Sequence, residues 1–119
     1  MRVKVVKTAD CTPMPELERT FYDPSHYRYL RNIIEKEGLK SAYPVRAIYS
    51  EKKKKFQVFD GIHRTKIAQD LGISSIPLID ETGLLNKQEA IAEGIKATRH
   101  TPPTTTSTWL EIYKDSENP

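Results

Sequence analysis

Residues 56–80, FQVFDGIHRTKIAQDLGISSIPLID, leave this chain few ways to fold. Residues 56–59 form an apolar run of strand length, and Asp60-Gly61 is turn chemistry. Ile67, Ala68 and Leu71 then share one helical face until Gly72 ends the helix. Residues 76–79 are a second short apolar run, which predicts a buried strand returning in a βαβ-type unit. Asp60, Gly61, His63, Arg64 and Lys66 all crowd the strand–helix junction. A helix N-terminus presents unbonded N–H groups and partial positive charge, so His63 and Arg64 sit there against the field unless an anion shares the place. Gly61 lets backbone approach such an anion, the following N–H groups donate, and Arg64 offers a bidentate fork to phosphate oxygens. Asp, Gly and His also occur at such junctions simply because they make turns. Their order with Arg64 is what points to phosphate.

The flanks supply the rest of one domain. Residues 2–7, R-V-K-V-V-K, alternate like a strand with valine on at least one buried face. Residues 8–22 hold two prolines and no clean period, which predicts an ordered loop with one short turn near residues 16–19. Asp23-Pro24 is a helix start, with Asp23 as N-cap and Pro24 at the first helical position. Tyr27, Leu30, Ile33 and Ile34 make its apolar stripe, and Gly38 stops it. Residues 45–49 and 56–59 read as two strands joined by a turn containing four lysines, 52–55. Asn86 is a predicted N-cap for a third helix to Thr98, with Ala90, Ile91, Gly94 and Ile95 on one side. Residues 101–119, rich in threonine and proline, read as an extended arm that Trp109, Leu110, Ile112 and Tyr113 could re-anchor. The expected organisation is a domain over 1–100 and an arm over 101–119.

Composition narrows the ligand class. The chain has 119 residues, 37% hydrophobic and 29% charged, which suits one soluble domain with a modest core. No apolar run approaches the ~20 residues of a membrane span, and the first residues do not resemble a secretory signal. Cys11 is the only cysteine, which excludes an internal disulfide and makes a cytoplasmic location the default expectation. A net charge of +3 suits an anionic partner, either free nucleotide or nucleic acid. The lysines at 52–55 read as a solvated hairpin turn or as a nucleic-acid contact.

The run VFDGIHRTKIAQDLGISSIPLID resembles the central motif of the ParB/sulfiredoxin superfamily, in which a strand leads into a G-x-x-R turn, a helix, a Leu-Gly pair and an "IP" strand. Residues 2–79 follow that family's order of elements, and residues 84–98 match a further helix. The resemblance implies an α/β (α+β) domain with a small mixed sheet and flanking helices. It also implies nucleotide phosphate held at the turn, by Gly61, Ile62, His63, Arg64 and Thr65. Partition ParB proteins carry a G-E-R-R turn and continue into further domains, and with roughly 40 residues after Asp80 a complete clamp is not expected. Sulfiredoxins place a cysteine where Ile62 stands, so their thiol chemistry is not expected.

Asp60, Gly61, His63 and Arg64 are similar to the D-G-x-H-R motif of the archaeal free-serine kinase branch. That likeness implies ATP, ADP or CTP as the nucleotide, Mg2+ held by Asp60, and charge stabilisation by His63. It also implies a glutamate base from the loop after the first strand, where Glu16 and Glu18 are candidates and surface charge is the plainer reading of each. The chain is short for such a kinase. The leading expectation is nucleotide-dependent phosphoryl transfer to a small hydroxylated acceptor, or nucleotide hydrolysis. A DNA-binding or nuclease module with weak, non-specific DNA contact, and a nucleotide sensor without catalysis, are the alternatives. His100 and Thr101 could add donors near the phosphate or belong to a solvated arm.

Overall fold

In the computed structural model, which describes residues 3–39 and 43–100, five strands form a single mixed sheet with four α-helices over its two faces. The strands are β1 (Val3–Lys7), β2 (Cys11–Pro13), β3 (Val45–Ser50), β4 (Lys55–Asp60) and β5 (Ser75–Asp80). The helices are α1 (Pro15–Phe21), α2 (Pro24–Glu37), α3 (Ile62–Asp70) and α4 (Lys87–His100). Strand order is β1-β5-β3-β4-β2. The pairs β1–β5 and β3–β4 are antiparallel, while β3–β5 and β2–β4 are parallel. The central strands are covered on both sides, which is why they are largely apolar, interrupted by Arg46 and Gln57. Ala47 and Val58 pack with Cys11, Ala68, Ile76 and Leu78 in one cluster. Their neighbours Ile48 and Phe59 pack with Met14, Leu17, Ile62 and Ala90 in another. Beyond α3, Tyr27 and Ile34 of α2 close over Ile67.

The helix limits follow their caps. The Asp23 carboxylate accepts from Ser25 N–H (2.9 Å), and Gly38 ends α2 at φ 74°. Asn86 and Glu89 form a reciprocal capping box at the start of α4. Three expectations need correction. Residues 8–22 are not a loop with one turn: they contain a 3₁₀ turn (Thr8–Asp10), β2 and α1. β2 is three residues long and ends in Pro13, too short to show a period and tolerated because it lies at a sheet edge. β4–α3–β5 is not a βαβ unit, since β5 skips over β3 and runs parallel to β3, hence antiparallel to β4. In β1 only Val6 turns toward the core, and Val5 is 70% exposed. The expected arm, 101–119, lies outside the described residues.

Candidate phosphate-binding site

The turn between β4 and α3 is built around Gly61. Its φ of 100° lies where side-chain-bearing residues are strained, and a Cβ there would sit 2.6 Å from Val45 Cγ1. Glycine is therefore required twice over, by backbone conformation and by the approach of β3. No side chain caps α3. The Thr65 N–H and hydroxyl both donate to the Gly61 carbonyl, each at 3.0 Å. Thr65 is fully buried, so its geometry fits bracing the turn rather than facing a ligand. Ile62 likewise sends its side chain into the core beside Met14 and Phe59, leaving only its backbone for a ligand. The N–H groups of Ile62, His63 and Arg64 precede the first closed helical bond and have no intrahelical acceptor.

Arg64 donates through Nη1 to the Tyr43 carbonyl, which ties the segment entering β3 to the turn. Burial lowers the Arg64 pKa, with Asp60 opposing. A guanidinium has five donors, so this bond leaves others for phosphate oxygens.

His63 is set by the start of α2. Its Nε2 accepts from Asp23 N–H (2.9 Å), which places the proton of the neutral ring on Nδ1. Tyr22 stacks on its face (5.5 Å), and His26 meets it edge-on (4.8 Å). Burial, with His26 adding, pushes the imidazole down to about 4, so it is neutral at neutral pH and offers Nδ1–H as a donor.

Beneath the turn lies a cluster that sequence reasoning missed. Arg46 on β3 forks onto Glu81 (2.5 and 3.2 Å), reaches Glu93 of α4 (3.2 Å), and passes Asp60 at 3.9 Å. Its guanidinium also lies over the Phe59 ring (5.0 Å). Glu81 is almost wholly buried. The available signal was Arg46 itself: an arginine inside a strand covered on both faces needs acidic partners. Burial raises the Asp60 carboxyl above its ordinary range, against the pull of Arg64 and Arg46.

The expected Mg2+ fits in one form only. No group of three His, Cys, Asp or Glu among the described residues could hold a resident ion. A single carboxylate beside a helix N-terminus suits only magnesium carried in on nucleotide phosphates, and Asp60, which Arg46 passes at 3.9 Å, is the carboxylate at this turn. The two candidate glutamates separate. Glu18 pairs with Lys66 of α3 (3.2 Å), while Glu16 pairs with Lys87 of α4 (2.5 Å), which lowers its pKa. Cys11 is buried in β2, and burial pushes its thiol up to about 11, far from a reactive thiolate. The side chains of His100 and Thr101 lie outside the described residues.

No protein-family model and no curated protein sequence matches the chain. Solved structures do match. C-terminally truncated ParB from Caulobacter crescentus complexed with CTP-gamma-S superposes with a TM-score of 0.72 at 17% identity, over 99% of this chain and 64% of that one. Sulfiredoxin from Arabidopsis thaliana gives 0.56 at 18% identity, over 80% of this chain and 98% of that one. The fold is ParB/sulfiredoxin-like. The same Caulobacter protein complexed to the centromeric parS site gives 0.64 at 16% identity, over 97% of this chain and 57% of that one. The chain therefore spans less than two thirds of these ParB structures, and at such identities the likeness establishes the ParB/sulfiredoxin-like fold alone.

Proposed function

We propose that this ParB/sulfiredoxin-like domain binds a nucleotide by its phosphates at the Gly61 turn and uses it for phosphoryl transfer to a small hydroxylated acceptor or to water. The observation that carries the reading is the uncapped N-terminus of α3, opened by a glycine that cannot bear a side chain and flanked by Arg64. The ParB structure with CTP-gamma-S supports it by showing that a protein of this fold accepts a nucleotide. Arg64 and the N–H groups of residues 62–64 would hold phosphate oxygens, and His63 Nδ1–H would donate to charge building on the transferring group. Asp60 would hold Mg2+, whose contribution is to neutralise phosphate charge. Glu18 pairs with Lys66 of α3 whereas Glu16 pairs with Lys87 of α4, which makes Glu18 the better candidate base.

A second reading, nucleotide sensing without chemistry, is favoured by the ion pairs that already engage both glutamates, Glu18 with Lys66 and Glu16 with Lys87. DNA contact is weaker again, resting on the exposed lysine turn and the fold shared with a parS-bound protein. Phosphate release and transfer to small hydroxylated metabolites, measured beside nucleotide affinity, test the proposal. Glu18→Gln is expected to cut turnover by about 10²–10⁴-fold while sparing affinity. Turnover unchanged in Glu18→Gln removes this base, and binding without turnover in the wild type supports the sensor.

A further inference from the structure

The segment entering β3 runs directly against the turn, and it carries an exposed aromatic ring. Val45 packs on Gly61 so closely that no Cβ fits between them, and two residues earlier the Tyr43 carbonyl accepts from Arg64. Pro44 restricts Tyr43 to extended backbone. Three independent constraints thus fix the Tyr43 backbone, one of them the side chain that would hold phosphate. Its side chain nevertheless points outward, with Tyr43 67% exposed and its ring stacked on no other among the described residues. The other exposed tyrosine among the described residues, Tyr29, already has His26 stacked on it (6.5 Å). An apolar ring on a rigid backbone, left in water, costs little entropy when it is covered.

We propose that Tyr43 is the stacking platform for the nucleobase of the nucleotide whose phosphates lie at the Gly61 turn. This rests on the phosphate reading of the site. The Arg64 guanidinium that would hold phosphate meets the Tyr43 carbonyl, so the exposed ring belongs to the residue that adjoins the phosphate site. Every base has a π-face, so the platform contributes affinity without choosing the base.

Calorimetric titrations of the full chain with ATP, CTP and inorganic tripolyphosphate, each with Mg2+, test this. Wild type should bind both nucleotides tighter than tripolyphosphate. Tyr43→Ala should weaken the nucleotides by about 5- to 100-fold, the range expected for one stacked base. It should leave tripolyphosphate within about two-fold. Tyr43→Phe, which keeps the ring, should bind like wild type. Equal weakening of nucleotide and tripolyphosphate in Tyr43→Ala, or no weakening of either, overturns the platform. Tripolyphosphate binding as tight as nucleotide in the wild type overturns it while leaving the phosphate reading intact. Failure of all three ligands to bind wild type overturns the phosphate reading and the platform with it.

Discussion

His63 illustrates how one side chain can serve both the fold and the site. Its Nε2 bond to Asp23 N–H locks the helix α2 start to α3, and the same bond commits the ring to its neutral form. Burial holds the folded pKa at about 4, below the ordinary value of 6.5. Between those values the unfolded chain binds a proton that the folded protein refuses, so stability falls as pH drops from about 6.5 toward 4. His26 is shifted in the same direction by its own burial. Urea unfolding across that window should show a loss on the order of 2 kcal/mol for wild type and a visibly flatter profile for His63→Gln. Parallel profiles would mean that the imidazole is charged in the folded state. Gly61 was legible because turn, charge and order coincide in four residues. The bond from the Thr65 hydroxyl to the Gly61 carbonyl was not legible, because a hydroxyl in a first helical turn looks the same in sequence whether it faces a phosphate or its own turn's carbonyl.

At the scale of elements, α4 owes its seat to Gly94. A Cβ there would meet Leu17 Cδ1 and lie 2.5 Å from the Phe59 carbonyl oxygen. In an exposed helix Gly→Ala stabilises by ~1 kcal/mol, but here backbone blocks the new methyl. Gly94→Ala is therefore expected to destabilise by roughly 1–3 kcal/mol in chemical denaturation. A gain in stability would show that α4 packs less closely on β4. The caps of α2 and α4 were readable because Asp23-Pro24 and Asn86 with Glu89 act locally, through bonds spanning two or three residues. β2 and α1 were not, since a three-residue strand has too few positions to show alternation and its pairing with residues 56–58 is non-local. The antiparallel run of β5 relative to β4 was hidden for the same reason. A helix between two strands fixes neither which strand the second one joins nor its direction.

Across the whole molecule, the Arg46 cluster ties β3, β4, the segment after β5 and α4 together beside the Gly61 turn. Sequence showed the apolar frame but not this polar centre, because its members lie up to 47 positions apart. Arg46→Met should cost about 3–5 kcal/mol by leaving Glu81 buried without its partner, and adding Glu81→Met should recover most of it. A double variant no more stable than the single would place the cost elsewhere. The frame's purpose, on this account, is to hold one helix N-terminus open to an anion. Amide NMR during titration with Mg2+-nucleotide measures that directly. The N–H signals of Ile62, His63 and Arg64 should shift most, and Arg64→Ala should abolish the shifts at nucleotide concentrations saturating for wild type. Shifts centred instead on the lysine turn at 52–55, or a full response in Arg64→Ala, would contradict it.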